Sequence, residues 1–105
     1  MQAAKLASLT APPASFALLR NRPNPFTGTT TLGFDVPRRT HVRLEVFDIT
    51  GRRVAMLANR DYEPGRFTLD WDGRTSGGTR AAAGVYLYRM TAGTFREQRH
   101  MVLVS

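Results

Sequence analysis

Gly84-Val85-Tyr86-Leu87-Tyr88-Arg89-Met90 is the stretch on which the reading of this chain turns. β-Branched, aromatic and long apolar side chains follow one another, and Thr75-Ser76-Gly77-Gly78 supplies turn chemistry upstream. This is the composition of a strand. Successive side chains of an extended backbone alternate, so Val85 and Leu87 share one face and Tyr86, Tyr88 and Met90 the other. Apolar residues on both faces place this strand in the middle of a sheet. Thr91-Ala92-Gly93-Thr94 predicts a hairpin turn into a last strand, Phe95–Val104. The hairpin is expected to nucleate the sheet and to carry the specificity of the chain.

The same period of two recurs upstream. Thr29–Val36 sets Leu32, Phe34 and Val36 on one side and Thr31, Gly33 and Asp35 on the other. His41–Asp48 turns Val42, Leu44 and Val46 inward and Arg43, Glu45 and Phe47 outward. Arg53–Leu57 is a further strand, with either Val54 and Met56 or Ala55 and Leu57 inward. Phe67, Leu69 and Trp71 alternate with Thr68, Asp70 and Asp72, and Phe16-Ala17-Leu18-Leu19 reads as a short first strand. The breaks carry turn residues: Pro37, Asp48-Ile49-Thr50-Gly51, the polar run Asn59–Gly65, and a loop from Asp72-Gly73 to about Ala82. In Asn21-Arg22-Pro23-Asn24-Pro25-Phe26 two prolines remove two backbone donors and force an irregular corner, from which Phe26 can plug the core. About seven short strands, joined by turn signals at regular spacing, predict an all-β antiparallel sandwich.

With 105 residues the chain is one domain, long enough for its own core. Residues 1–15 are rich in Ala, Ser, Thr and Pro and read as a flexible linker, or a remnant left by excision from a longer protein, ahead of the sandwich at 16–105. A helix over Ala3–Leu9 would be marginal in isolation. No run approaches the length of a membrane span, and the N-terminus lacks a signal-peptide core. There is no cysteine, so disulfides and thiolate metal sites are excluded. The net charge of +7 favours anionic partners, but the arginines are scattered (Arg20, Arg38, Arg39, Arg52, Arg53, Arg74, Arg89, Arg99) and not clustered in one run, as on a solvated surface.

Little in the chain points to catalysis. His41 and His100 fall in strands without a partner pattern, and no nucleophile elbow or phosphate-cradling glycine loop occurs. No cofactor or metal is expected, although Asp48, Asp70 and Asp72 are the carboxylates a calcium site would draw on. Phe47, Tyr62 and either Tyr86 or Tyr88 are the candidates for an exposed carbohydrate platform, whereas Trp71 shares a face with Phe67 and Leu69 and belongs to the core. Nucleic acid is not an expected partner, because no stripe interleaves arginines with exposed aromatics.

Five blocks resemble a known family. Phe16–Phe26 with Thr29–Phe34, then Val42–Val54, Trp71-Asp72-Gly73-Arg74, Gly84–Met90 and Met101-Val102-Leu103-Val104 are similar, in order, to the type A C-terminal sorting domains of type IX secretion. The Ig-like domain of the flagellar hook-capping protein is similar as well. The resemblance implies a seven-stranded Ig-like β-sandwich that follows an N-terminal cargo domain. It would fold in the periplasm, be read by the outer-membrane translocon, be trimmed by a sortase-like protein, and leave the cargo at the cell surface or outside. It implies a recognition set of Asn24, Pro25 and Phe26, of Gly84 and Tyr86, of Arg99 and His100, and of Met101, Val102, Leu103 and Val104. The family usually carries lysine where His100 stands, which leaves the basic contact to Arg99.

Each motif also has a purely architectural reading. Gly84 would allow close backbone approach, Tyr86 would tie down a loop, and Met101–Val104 would be the last core strand. An uncovered last strand would offer a partner unpaired backbone groups. The competing expectation is an Ig-like module for cell attachment, carbohydrate binding or oligomerisation, the last as a weak homodimer through an edge strand.

Overall fold

The computed structural model describes residues 11–104; the Ala3–Leu9 segment lies outside the described residues. Seven strands follow in chain order: β1 (Ala17–Leu18), β2 (Thr30–Val36), β3 (Thr40–Asp48), β4 (Arg53–Tyr62), β5 (Gly65–Trp71), β6 (Gly84–Ala92) and β7 (Phe95–Leu103). They pair antiparallel in a three-stranded sheet, β1-β2-β5, and a four-stranded sheet, β4-β3-β6-β7. The chain is an all-β antiparallel β-sandwich, as the apolar alternation predicts, and it is Ig-like, as the resemblance implies. β6 is central: Tyr88 lies opposite Val46 on one side and Arg99 on the other.

The inward faces meet in one core. Leu32, Phe34 and Val36 from one sheet and Val42, Leu44, Val46, Tyr88, Met90 and Met101 from the other are fully buried. Each such side chain contributes about 1.5–3 kcal/mol of transfer free energy. Aromatic rings fill both ends. Trp71 meets Phe26 and Tyr86 edge-on, with ring centroids 5.8 and 5.4 Å apart, and Tyr62 stands edge-on to Phe34 and Phe67 at 5.1 and 4.8 Å.

β4 departs from expectation. It runs five residues past Leu57, because the polar segment Asn59–Tyr62 pairs with Thr40–Arg43 instead of turning. Register shifts opposite Leu44/Glu45 and Val46/Phe47 mark a bulge. They let Ala55 and Ala58 both face the core, so neither simple alternation holds. Tyr62, expected on the surface, is buried among Phe34 and Phe67.

Glu45 faces outward, as the alternation predicts, yet only 5 % of its surface is exposed. It stands on the outer face of its sheet, where Arg43 and Arg53 each bring a guanidinium nitrogen within 3.2 Å of Oε2. Two charge-assisted bonds offset the loss of water around the carboxylate. The turn after β3 is set by Asp48, whose Oδ1 accepts from the Thr50 hydroxyl at 2.5 Å and from the Thr50 and Arg52 amides at 2.9 and 3.1 Å. Those donors hold the Asp48 carboxyl below its ordinary pKa, the Thr50 hydroxyl most of all. Gly51, at φ +88°, takes the left-handed conformation the turn requires.

His41 on β3 places Nε2 2.7 Å from Asn59 Oδ1 and Nδ1 2.8 Å from Asp61 Oδ1 on β4. Two acceptors select the doubly protonated ring. The Asn59 bond, and then the Asp61 bond, raise the His41 pKa above its ordinary 6.5. Because the folded value lies above the unfolded one, this contribution is complete below pH 6.5 and is lost as pH rises through the folded pKa. Between about pH 6 and about pH 8.5 the melting temperature should fall more in the native chain than in His41→Gln, as followed by circular dichroism.

Candidate partner-recognition site

The corner between β1 and β2 is built from buried polar bonds. Asn21, itself buried, donates from Nδ2 to Thr30 Oγ1 at 3.0 Å, and the Thr30 hydroxyl donates to the Pro23 carbonyl at 2.8 Å. Arg22 exchanges backbone bonds with Thr31 at 2.9 and 2.8 Å. The Arg22–Pro23 and Asn24–Pro25 peptide bonds are both cis.

The corner is fastened to the far end of the chain. Asn24 Oδ1 accepts the Val102 amide at 2.9 Å, the Phe26 amide donates to the Val102 carbonyl at 3.0 Å, and the Val104 amide donates to the Phe26 carbonyl at 2.8 Å. Phe26 thus forms a parallel bridge beside Leu103, and its ring enters the core with 2 % of the residue exposed. Asn24 and Pro25 stay in solvent.

The terminal strand is therefore not a bare edge. The outward backbone groups of Val102 and the amide of Val104 are taken by the corner, and the side chains of Met101 and Leu103 are buried. Arg99 is also engaged: Nε donates to the Leu18 carbonyl at 2.6 Å, and a terminal nitrogen lies 3.6 Å from Glu97. His100 remains exposed.

Gly84 and Tyr86 pair with Leu103 and Met101 across the β6–β7 ladder. A Cβ on Gly84 would meet nothing within 4 Å, so close approach does not explain the glycine; its φ of +154°, rare for any other residue, does. The Tyr86 hydroxyl donates to the Ala82 carbonyl at 2.5 Å and ties the preceding loop, as a corner tyrosine does. Burial, with the Asp48 charge second, pushes the Tyr86 phenol above its ordinary pKa.

Eleven residues from three distant blocks are thus gathered on one side of the sandwich. Sequence reading missed the residues that hold them there: Leu18 and Asn21, and Tyr88, whose hydroxyl donates to the Leu19 carbonyl at 2.8 Å. An asparagine close to two prolines, Asn21 ahead of Pro23 and Pro25, is the local clue in the sequence. What the site offers chemically is backbone donors and acceptors, an amide side chain and arginines.

Other expectations change. Tyr62, Tyr86 and Tyr88 are all buried, and Arg89 sits 4.5 Å above the half-buried Phe47 ring, so these residues form no exposed aromatic platform. Asp48, Asp70 and Asp72 point to separate partners: the β3–β4 turn, the Thr31 hydroxyl at 2.7 Å and the Arg74 amide at 3.0 Å. Among the described residues no three metal-ligating side chains converge.

These features define an Ig-like β-sandwich domain closed by its own N-terminal corner. Residues 21–95 match the family described as the FlgD Ig-like domain, and the chain belongs to that family. Among solved structures it is similar to dimeric latent PorU from Porphyromonas gingivalis, with a TM-score of 0.70 and 21 % identity over 89 % of this chain and 10 % of that one. PorZ of the same organism, a surface component of the type-IX secretion system, aligns with a TM-score of 0.57 and 18 % identity over 87 % of this chain and 12 % of PorZ. FlgD from Xanthomonas campestris, a hook-capping protein, aligns with a TM-score of 0.58 and 24 % identity over 97 % of this chain and 74 % of its own. The chain spans about a tenth of the length of PorU and PorZ. No curated protein sequence matches it.

Replacing Asn24 by Ala leaves the Val102 amide without its acceptor and should cost about 1 kcal/mol. Phe26→Ala empties a core position and should cost about 3–5 kcal/mol. Denaturant unfolding measures both; equal losses would contradict the division between an exposed tie and a buried plug.

Proposed function

We propose that the domain is a C-terminal sorting module of the type IX secretion kind. It acts by being bound, not by catalysis, and carries an N-terminal cargo through the periplasm to the cell surface. The outer-membrane translocon and a sortase-like protein are its partners in this reading. One observation carries it: the sorting-type motifs Asn24-Pro25-Phe26, Gly84-Val85-Tyr86 and Met101–Val104, dispersed in sequence, interlock at one end of the sandwich. The likeness in fold to PorU and PorZ supports it.

The experiment fuses the chain behind a periplasmic reporter in a host with type IX secretion. The reporter should reach the surface or the medium; retention in the periplasm with the domain folded would overturn the proposal. Deleting Met101–Ser105 is a poor probe, because it removes two buried side chains and the partners of Asn24 and Phe26. The exposed His100→Ala change should lower export without moving the melting temperature.

A second reading, self-association, is favoured by β5. Its seven residues pair with β2 on one side, and among the described residues no strand lies on the other. Sedimentation equilibrium should show a concentration-dependent dimer that Thr68→Pro abolishes; a monomer throughout would remove this reading.

A further inference from the structure

We propose that the cleft between Arg20–Asn24 and β7 binds an extended acidic polypeptide segment, which adds to the open part of the β7 edge. In an antiparallel ladder, residues bonded to the neighbouring strand alternate with residues whose backbone groups point away. The bonds of Val102 to Asn24 and Phe26 show that Val102 points away from β6. His100, Gln98 and Arg96 therefore point away too, and among the described residues no backbone bond takes them up.

The opening is bounded, not frayed. The Asn24–Val102 tie closes one end, and within the open stretch the Arg99 side chain holds the Leu18 carbonyl and fixes β7 in place. Along this stretch lies a cleft of about 520 Å³, walled by Arg20, Arg22 and Asn24 opposite Gln98, Arg99 and His100. Phe26 shows that this edge accepts a parallel strand, since it already forms such a bridge opposite Leu103.

Charge selects the occupant. No carboxylate lines the cleft; Glu97 sits beside Arg99 at 3.6 Å. Arg20 and Arg22 enter no ion pair among the described residues. Arginine forks match carboxylates, and a strand edge demands a partner that both donates and accepts at a period of two residues. An acidic peptide meets both demands; a simple anion offers acceptors alone. The inference goes beyond the export reading: it concerns the isolated domain, and either can fail while the other stands.

The test titrates the full isotope-labelled chain with capped Asp-Thr-Glu-Val-Asp-Thr, its Asn/Gln counterpart and inorganic phosphate, and follows backbone amide shifts. Shifts should concentrate at Arg20–Asn24 and Gln98–His100, with the neutral peptide about tenfold weaker. Shifts spread over remote arginines such as Arg53 and Arg66 would overturn the proposal. So would phosphate reproducing the pattern and displacing the peptide, which would mark a plain anion site. Arg20→Gln with Arg22→Gln should weaken binding about tenfold. Gln98→Pro removes an outward amide that β6 does not use and should also abolish binding. Unchanged affinity in the double arginine variant overturns the proposal whether or not the proline variant folds.

Discussion

The structure depends on the backbone bonds between Phe26 and the last strand. Two sheets packed face to face leave open sides, where backbone groups are unpaired and core side chains meet water. Here the chain closes one side itself. Phe26 gives its amide and carbonyl to Val102 and Val104 while its ring packs on Trp71, and the Asn24 side chain adds a third bond. The two ends of the domain are thereby joined by bonds spanning nearly eighty residues.

A second set of ties works alongside. Phe16 stacks on Phe95 with centroids 5.4 Å apart, Arg99 holds the Leu18 carbonyl, and Tyr88 reaches out of the core to the Leu19 carbonyl. The short β1 therefore belongs to one sheet by hydrogen bonds and to the other by side chains. Arginine serves as structure in this arrangement. Arg43 and Arg53 cover Glu45, and Arg99 satisfies a carbonyl, so part of the positive charge is committed internally. Arg20 and Arg22 stand instead in an opening of the wall, where charge and strand edge coincide.

Membership of the FlgD Ig-like family accounts for the sandwich. PorU and PorZ show the same fold as a small part of much longer proteins. A fold shared between hook-capping and secretion proteins does not choose between their roles. What separates this chain from a generic sandwich is local: a corner of two prolines and two asparagines, fitted to the strand that ends the domain.

The sequence by itself determined the two layers, the seven strands, the central place of Gly84–Met90 and the burial of Phe26 and Trp71, because period-two alternation records which face of a strand loses water. It did not foretell the length of β4, the burial of Glu45 and Tyr62, or the closing of the β7 edge at Val102. Those depend on partners far along the chain: a bulge that resets register against β3, two arginines that cover a carboxylate, and a corner whose amides find the last strand. Periodicity describes one strand at a time, and hydrogen bonds between distant strands exist only once the sheets have met; that is why the shape and charge of the cleft were decided by tertiary structure alone.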